Sequence, residues 1–364
     1  MKIRIFNPEH DIALALNRPN VTPPHAARQL QTDFDFLPAL FADDGDYILV
    51  GDSVRARTHY EHACVVSGKE IRDVNFITSA KLSIMAEECS PELQSLTVLP
   101  WGMDDAVLEQ FRQLGTDIDI STERLEKIRN LSSRHWCVDN LQDEAEYITD
   151  VSVLRSKISE LRRCVLKSPW SSSGRGVRYI DLDAFPNASA AVFSLEQSNW
   201  VAKIIRMQGG IVLEPFYNKV MDFGMEFKAL PSGEVRYCGL SLFQTEKRAY
   251  TGSLLACEED KQDILSQYVD VEEQQKLATK MIRVISPATK NVYEGPLGVD
   301  FMVVKIGNTD KLVVKTAEMN LRCTMGHVAL ALSPTGCLPP RLMRTEYDGG
   351  HYHLRIKSKM IEEI

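Results

Sequence analysis

The sequence predicts an α+β protein that begins with a smaller α/β unit built on a mostly parallel sheet. Up to about residue 115, short apolar runs alternate with helical or loop stretches, as in successive β-α units. After a helical stretch at 121–142, several strands follow with one separate helix at 270–290, which indicates antiparallel sheet. The length of 364 residues is more than one ordinary core fills, so two or three packed units are expected.

Composition and charge are those of a soluble globular protein. Hydrophobic residues make up 44% and charged residues 25% of the chain. The net charge of −8 argues against nucleic acid or an anionic membrane as the main partner, although a local basic pocket can still bind phosphate. No apolar run reaches about 18 residues, so no membrane span is expected, and the N-terminus lacks the pattern of a signal peptide. Eight scattered cysteines without a CxxC pair predict free thiols and a cytoplasmic location.

The N-terminal unit is predicted from three apolar runs, 3–6, 47–51 and 96–100, which read as short strands. A helix is predicted at 104–115, ending at Gly115 as a helix C-terminus would. The turn after the first strand, FNPEHD, lacks the glycines of a dinucleotide fingerprint, so no Rossmann cofactor site is expected.

The rest of the chain is predicted to be mainly strands and turns. The last stretch, from residue 346, is interpreted as a polar tail, with or without a final strand. The predicted strands are 164–168, 176–180, 210–216, 223–230, 234–243, 298–306 and 311–320.

The last of these strands carries polar residues where a buried strand would carry Val or Ile. Side chains at i and i+2 share a face of a strand, so Glu318, Asn320 and Arg322 should lie together. The same alternation assigns Leu312, Val314 and Thr316 to that face. The opposite face is expected to pack on a helix and comprises Val313, Lys315, Ala317, Met319 and Leu321.

A hairpin joins this strand to the one before it, because the GNTD stretch at 307–310 has turn chemistry. A hairpin centred on Thr309 places Asp300 opposite Glu318, and the neighbouring register would place it opposite Ala317. Opposed like charges, roughly 4.5–5.5 Å apart at Cβ, repel. A Mg²⁺ ion bound to carboxylate and amide oxygens would offset that repulsion. The alternative is an acid pair at a solvated strand end, neutralised by Arg322.

A lysine closes the strand at 164–168, and a loop of small residues follows it. Backbone N–H groups in such a loop can surround phosphate oxygens because glycine permits close approach. The alternative is a mobile surface turn. The loop does not have the residue order of a Walker A motif. The residues concerned are Lys167, Ser171, Ser172, Ser173, Gly174, Arg175 and Gly176.

A further strand ends at Glu214, where Pro215 prevents the sheet ladder from continuing. Free backbone groups at such a break can bind the edge of a purine. Phe216 and Tyr217 offer flat apolar walls, and Asp222 is placed to accept from ribose hydroxyls. The alternative is an ordinary strand end with a surface acid.

In order along the chain, VLKSPWSSSGRGV, IVLEPFY and GVDFMVV followed by AEMNLR resemble the motifs of the ATP-grasp superfamily, carboxylate–amine/thiol ligase type. This superfamily has the fold of carboxylate–amine ligases, biotin-type carboxylases and D-alanine–D-alanine ligase. The resemblance covers about residues 120–332. It implies two α+β subdomains that grip ATP, preceded by an α/β domain. The implied limits are 1–118, 119–195 with the lysine strand and lid loop, 196–345 with the hinge and metal hairpin, and a 346–364 tail.

By position, the resemblance also implies roles. Lys167 and the loop 171–176 would bind ATP phosphates, the hinge from Glu214 to Tyr217 would hold adenine, and Asp222 the ribose. The catalytic residues would be Arg322, facing the transferred phosphoryl group or an acyl phosphate, with Lys167 and Arg175. An early basic position, a lysine in many members, is filled either by Arg134 or by Lys127. Mg²⁺, with Mn²⁺ as a substitute, would be held by Asp300, Glu318 and Asn320.

The implied activity is an ATP-dependent ligase that activates a carboxylate as an acyl phosphate for attack by an amine-type nucleophile. An ATP-grasp kinase and a non-catalytic ATP-binding regulator are the alternatives. The expected partners are a small-molecule carboxylate and an amine, with no nucleic acid or membrane, and a homodimer is left open. Candidate contacts to the acceptor substrate are Asn7, Glu9, His10, Asp11, Arg248, Tyr250, Thr324 and His327.

Overall fold

Three sheets organise the chain in a computed structural model. The structure describes residues 2–88, 97–115, 118–171, 176–184, 195–246, 249–307, 309–336 and 338–358. Within these residues, a parallel four-stranded sheet comes first, a small four-stranded sheet follows, and a seven-stranded sheet contains most of the second half. None of the helices in these ranges is long and apolar enough to cross a membrane.

The N-terminal sheet has the strand order β3-β2-β1-β4, with every neighbouring pair parallel. The predicted α/β unit with a parallel sheet is therefore confirmed. Its strands are β1 Lys2–Ile5, β2 Tyr47–Leu49, β3 Asn75–Ile77 and β4 Thr97–Pro100. The helices around it are α1 His10–Leu16, α2 His25–Phe34, α3 Ser53–Ser67, α4 Ser79–Glu87 and α5 Asp105–Gln113, with a 3₁₀ turn at Leu37–Phe41.

The small sheet has the order β5-β8-β6-β7 and is antiparallel throughout. It has a core of its own, formed by residues between Ile148 and Leu213. The strands are β5 Glu146–Ile148, β6 Arg163–Lys167, β7 Val177–Asp181 and β8 Ile211–Pro215, and the helices are α8 Val151–Leu161 and α9 Leu195–Gln208.

The large sheet is also antiparallel, with the order β13-β12-β9-β10-β11-β14-β15. Its strands are β9 Asn218–Ala229, β10 Val235–Glu246, β11 Ala249–Leu255, β12 Gly295–Lys305, β13 Leu312–Asn320, β14 Arg341–Tyr347 and β15 Tyr352–Ser358. The remaining helices are α6 Thr122–Leu131, α7 Arg134–Leu141, α10 Glu258–Ser266, α11 Val271–Thr289 and α12 Met325–Leu332.

The last stretch of the chain contains the final strand that the sequence analysis had left open. β14 runs on to Tyr347, and β15 pairs with it along its whole length. Tyr352, Leu354 and Ile356 alternate along β15 and pack against a buried cluster. The period-2 apolar pattern of these three residues therefore makes the stretch a strand.

Sheet membership does not follow the predicted domain limit at residue 195. β8 lies after residue 195 but pairs with β6 in the small sheet. Conversely, α6 and α7 lie before residue 195, yet Ile128 and Leu141 are buried with Met281 and Ile285 in the core of the large sheet. The chain thus enters the small sheet at β5 and leaves it at β8.

A second core joins the N-terminal unit to the large sheet. Phe6, Phe34 and Tyr60 from the N-terminal unit are buried in one cluster with Leu255 and Leu332 from the second half of the chain. Because one apolar cluster spans both parts, separating them would expose side chains that are now almost fully buried.

This shared core gives a stability prediction. Leu332 is fully buried in it, so Leu332→Ala should lower the free energy of unfolding by about 2–5 kcal/mol. The matched control is Leu338→Ala, at an exposed leucine, with an expected change of about 0.5 kcal/mol or less. Urea unfolding followed by fluorescence measures both. Equal effects in the two variants would contradict the shared core.

Candidate functional site

The hairpin of β12 and β13 places two carboxylates side by side. Asp300 is paired with Glu318, which confirms the predicted register. The next pair along the ladder is Phe301 with Thr316, so Ala317 is an extra residue in a β-bulge.

The bulge corrects the predicted face of β13. Because Ala317 has no partner across the ladder, the alternation of side chains shifts there. Leu312 and Val314 pack against the buried core that also contains Met319 and Leu321. Leu312, Val314 and Thr316 therefore do not share the face of Glu318 and Asn320, as the unbroken alternation had predicted. Lys315 instead lies on the face of Glu318 and Asn320, because it pairs with Met302, two residues from Asp300 on β12.

The acid pair is balanced by a chain of polar contacts. Asn320 Nδ2 donates to Asp300 Oδ2 at 3.0 Å, and Asn320 Oδ1 accepts from Arg322 Nη2 at 3.0 Å. Arg322 also forms an ion pair with Asp11 of the N-terminal unit, at 3.1 Å. Glu318 has a different partner, since its Oε1 lies 2.6 Å from Arg134 Nη2. Arg322 thus bridges Asn320 to the N-terminal unit, whereas Arg134 neutralises Glu318.

The electrostatics of this face favour a cation. Burial, together with the charges of Glu318 and Glu226, raises the pKa of Asp300 to about 8. Among the residues that the structure describes, no three His, Cys, Asp or Glu side chains form a metal-binding group. The set here is two carboxylates and one amide oxygen, a set of hard oxygen ligands that suits Mg²⁺ with water or phosphate completing the shell. Asp300, Glu318 and Asn320 therefore fit the metal that the resemblance implies.

Glu226 is a buried acid on this face that the sequence analysis did not identify. In the ladder of β9 with β12, Gly298 pairs with Glu226 and Asp300 with Gly224. Side chains of cross-strand pairs share a face, so Glu226 lies on the side of Asp300. The spacing of Asp222, Gly224 and Glu226 at every second residue indicates that they share one face of a strand. The sequence does not indicate that this strand pairs with β12, and so does not place Glu226 beside Asp300.

Glu226 also fixes the turn after the metal strand. Its Oε2 accepts from Thr324 Oγ1 at 2.9 Å and lies 3.0 Å from His327 Nδ1. Thr324 and His327 form a capping box at the start of α12. A Cβ at Gly326 would lie 1.8 Å from Glu226 Oε1, so glycine is required there. Thr324 and His327 were predicted as candidate contacts to the acceptor substrate. In the structure, they cap α12 and contact Glu226.

Lys167 ends β6 and points across a cleft to β13. Its Nζ lies 2.7 Å from Glu214 Oε2 and donates to the carbonyl of the bulge residue Ala317 at 3.3 Å. Gln142 donates to Glu214 Oε1 at 3.2 Å and to the same carbonyl at 3.1 Å. The bulge therefore supplies a carbonyl that holds Lys167 over the metal hairpin. Gln142, which follows α7, belongs to no motif that could have identified it.

Arg134 connects the base of the lid loop to the metal face. It is 6% exposed. Its Nη1 donates to the carbonyl of Ser168 and to Ser171 Oγ, both at 2.8 Å, and its Nη2 pairs with Glu318. Lys127, the other candidate for the early basic position, forms an exposed ion pair with Glu123. Arg134 rather than Lys127 is the residue that lies in the site.

Only the ends of the lid loop can be described. Ser168 N donates to the carbonyl of Gly176 at 2.8 Å. A Cβ at Gly176 would lie 2.0 Å from Ser168 Oγ and 2.2 Å from Ser171 Oγ, so a larger residue would not fit there. The predicted site residues Ser172, Ser173, Gly174 and Arg175 lie outside the described residues, as does the candidate Arg248.

The two aromatic residues of the hinge, Phe216 and Tyr217, lie on different sides of the chain, so the prediction for Phe216 needs correction. Phe216 is exposed, and its ring lies under the guanidinium of Arg163 at 4.4 Å. It does not line the cleft, because consecutive residues of an extended chain point to opposite sides. Tyr217 does line the cleft, donating its hydroxyl to Glu144 Oε2 at 2.7 Å, with Lys315 Nζ 5.7 Å from its ring. The cleft residues are Leu141, Gln142, Asp143, Glu144, Ala145, Glu214, Tyr217, Leu277, Lys280, Val314, Lys315 and Thr316.

Asp222 lies on the face of Asp300, two pairs further along β9, where it is opposite Met302. Its carboxylate accepts from Thr245 Oγ1 at 3.0 Å and pairs with Lys219. Tyr250 is another candidate contact to the acceptor substrate. Its hydroxyl lies 2.8 Å from Ser253 Oγ, and none of its contacts with the described residues is to the metal face. The Asn7–Asp11 turn, by contrast, reaches this face through Asp11.

No family model matches the sequence, and no curated protein matches it either. Solved structures do match the fold. The biotin carboxylase domain of Hydrogenobacter thermophilus 2-oxoglutarate carboxylase, in complex with MgADP, ADP and bicarbonate, superposes with a TM-score of 0.51 at 11% identity. The match covers 94% of this chain and 74% of that one. The chain has the ATP-grasp fold.

Two further structures were compared. The biotin carboxylase β,γ-ATP complex from Campylobacter jejuni has a TM-score of 0.50 at 12% identity, over 94% of this chain and 75% of that one. N5-carboxyaminoimidazole synthetase from Staphylococcus aureus with ADP has a TM-score of 0.47 at 12% identity, over 95% and 82%.

The buried acid pair predicts a pH-dependent stability of the metal-free protein. Asp300 has a raised pKa of about 8 when folded, against 3.8 as the reference value, so the folded state holds its proton more tightly. This contribution to stability should be lost as the pH rises from about 4 to 8. Asp300→Asn removes the charge, so the variant should lose less stability than the wild type between pH 5 and pH 8.

Urea unfolding at both pH values, in the presence of a chelator, measures this difference. Asp263→Asn, at an exposed acid on α10, is the control and should follow the wild type. The burial of Asp300 beside two acids would be contradicted by a variant whose pH dependence equals that of the wild type.

Proposed function

We propose that the protein is an ATP- and Mg²⁺-dependent ligase that activates a carboxylate as an acyl phosphate for attack by an amine-type nucleophile. The observation that carries this proposal is the metal face of Asp300, Glu318 and Asn320 with three cationic side chains around it. Arg134 contacts Glu318, Arg322 contacts Asn320, and Lys167 donates to the bulge carbonyl between them.

This arrangement suits phosphoryl transfer. The reaction needs positioning and neutralisation of charge more than covalent help from the protein. When bound, Mg²⁺ neutralises phosphate oxygens and fixes their geometry. Mn²⁺ has similar ligand preferences and is proposed as a substitute. The three carboxamide and carboxylate side chains would hold the ion, and the cations would bind the phosphate oxygens that the ion leaves free.

Each basic residue has a distinct task in the proposed reaction. Lys167 binds phosphate oxygens, and its ion pair with Glu214 directs it into the cleft. Arg134 joins Ser171, at the start of the lid loop, to Glu318 and so holds the two in a fixed relation. Arg322 faces the transferred phosphoryl group or the acyl phosphate, held by Asp11 and Asn320.

The nucleoside part of ATP is proposed to lie along the hinge. Tyr217 provides an apolar wall beside Glu214, and Lys315 and Glu144 close the other side through the contacts described above. Asp222 is proposed to accept from the ribose hydroxyls. The two biotin carboxylase structures, which contain ADP and β,γ-ATP, support nucleotide binding by this fold. A cytoplasmic location and a homodimer stay predictions.

The ligase is tested by its partial reaction. With Mg²⁺-ATP, a panel of small carboxylates and hydroxylamine, a ligase of this kind should release ADP and form a hydroxamate from the right carboxylate. A kinase would instead give a stable phosphorylated product with no hydroxamate, which mass spectrometry detects. A non-catalytic regulator would bind the nucleotide without turnover.

Lys167→Ala gives a sharper prediction. Loss of a charge-assisted contact to phosphate should weaken the apparent affinity for Mg²⁺-ATP by about tenfold or more. The measurement is the rise in melting temperature with nucleotide concentration, since a ligand that binds only the folded state stabilises it. Lys276→Ala, at an exposed lysine of α11 that pairs with Glu272, is the control. Unchanged nucleotide affinity in Lys167→Ala would remove Lys167 from the phosphate site.

A further inference from the structure

A polar cluster lies at the carboxyl ends of β1 and β4, two adjacent parallel strands of the N-terminal sheet. From β1 the chain builds β2 and β3 on one side, and it then crosses to β4 on the other side. In open α/β sheets, such a change of direction leaves a crevice where ligands bind. Asn7, Glu9 and His10 follow β1, whereas Gly102 and Asp104 follow β4.

Asp104 fixes the tautomer of His10. Its Oδ1 accepts from the backbone N–H of Val107, and its Oδ2 accepts from Asn7 Nδ2 at 3.0 Å. The same Oδ2 lies 2.9 Å from His10 Nδ1. A carboxylate in this position accepts, so Nδ1 carries a proton, and in the neutral imidazole Nε2 then carries the lone pair. His10 and Asp104 are each 1% exposed, so water does not compete for this bond.

Gly102 holds the imidazole in place. A Cβ at this position would lie 2.4 Å from Cγ and 2.7 Å from Nδ1 of His10, so the ring packs directly on the glycine. Gly102 is itself fixed by Asn7, whose amide donates to its carbonyl at 2.8 Å and accepts from its N–H at 3.2 Å. The ring is therefore held on the Nδ1 side.

Two acceptor atoms in the cluster are left without partners. His10 Nε2 and Glu9 Oε2 are buried and have no hydrogen bond to any residue that the structure describes. A buried polar atom without a partner costs roughly 1–3 kcal/mol, so two of them on adjacent residues call for a ligand. Both are acceptors when Glu9 is ionised, and burial raises the Glu9 pKa to about 7. The complementary ligand is a donor with several N–H bonds.

The cluster adjoins the end of the metal strand. Asp11, next to His10, binds Arg322 through Nε and Nη2 at 3.2 and 3.1 Å. On the other side, the N–H of Cys323 donates to the carbonyl of Trp101, next to Gly102, at 2.8 Å. Both strand ends of the crevice are thus tied to the residues that follow Asn320.

We propose that Glu9 and His10 bind the amino group of the acceptor substrate, with His10 as the base that takes its proton and Asp104 as the residue that orients His10. This inference rests on the proposed ligase function. In the step concerned, the amine nitrogen forms a bond to the acyl phosphate carbon. The carbon–oxygen bond to phosphate breaks, its electron pair leaves with inorganic phosphate, and the proton of the nitrogen passes to His10 Nε2.

Two substitutions of His10 separate its two nitrogens. In His10→Asn, the amide nitrogen takes the place of Nδ1 and can still donate to Asp104, but nothing replaces Nε2. In His10→Gln, the terminal amide reaches the place of Nε2 and can accept from an amine without acting as a base. Glu9→Gln removes the second acceptor charge. Asp33→Asn, a buried acid that binds His351 between α2 and β15, is the matched control for loss of a buried charge.

The probes are the common amino acids and methylamine, added to the full chain with saturating Mg²⁺-ATP. In the wild type, at least one amine should raise the melting temperature further. In His10→Asn and Glu9→Gln, that amine should bind about tenfold more weakly or not at all, while the shift caused by Mg²⁺-ATP alone is unchanged. His10→Gln and Asp33→Asn should keep the amine shift.

Turnover gives an independent readout. Hydroxylamine is small and largely uncharged near neutral pH, so Asp33→Asn, outside the cluster, should form hydroxamate at the rate of the wild type. In His10→Asn and His10→Gln, formation of the amide with the stabilising amine should fall about a hundredfold or more, the size expected for a lost general base. In His10→Gln this loss should appear in kcat, with KM for the amine nearly unchanged.

The outcomes distinguish the two proposals. Failure of Mg²⁺-ATP to stabilise the wild type, together with no hydroxamate from any carboxylate, would overturn the ligase itself. If hydroxamate forms but no amine stabilises the wild type, or if His10→Asn keeps the amine shift and amide formation, the amine site is wrong and the ligase stands. In that case, a structural water would donate a hydrogen bond to His10 Nε2.

Discussion

Repulsion between the carboxylates of Asp300 and Glu318, which face each other on β12 and β13, is the interaction that the surrounding side chains balance. Arg134 offsets the charge of Glu318 and Asn320 donates to Asp300. Because these partners come from α7 and from β13 itself, the acid pair draws together parts of the chain that are distant in sequence. Opposed acids at a sheet edge destabilise a strand pair unless a cation or hydrogen-bond donors accompany them. Here the stabilising groups are also the groups suited to bind phosphate.

The sequence predicts those features that depend on neighbouring residues. The turn at 307–310 joins the two strands as predicted, but the pairs next to it, such as Lys305 with Leu312, follow the neighbouring register. The bulge at Ala317 then shifts the ladder by one residue and brings Asp300 opposite Glu318, so that pair is the part of the prediction that is correct. The alternation that placed Leu312 and Val314 beside Glu318 fails because a bulge residue leaves no mark in the period of the pattern. Phe216 fails for a simpler reason, since only one of two consecutive side chains can face the cleft.

Features that depend on distant pairing were not accessible in this way. Glu226 joins the acid face only because β9 lies beside β12, and the order of strands in a sheet is not written in any one strand. The FNPEHD turn was a candidate on its residue types, but Asp104, which gives His10 its tautomer, is 94 residues away in the sequence. Gln142 contacts both Glu214 and the bulge carbonyl, and its surroundings in the sequence contain no motif. In each of these cases, the residues that make contact are distant in the sequence and are brought together only by the fold.

The distribution of the buried clusters determines which part of the molecule can open. The N-terminal unit and the large sheet share one apolar cluster, whereas the small sheet has a separate one confined to its own strands and helices. The small sheet touches the metal hairpin through polar contacts, among them Lys167 with the carbonyl of Ala317. Polar contacts can be exchanged for water at little cost, but a shared apolar core cannot. We therefore expect the N-terminal unit and the metal face to stay together, and the small sheet, which carries Lys167, to be the part that moves when a ligand binds.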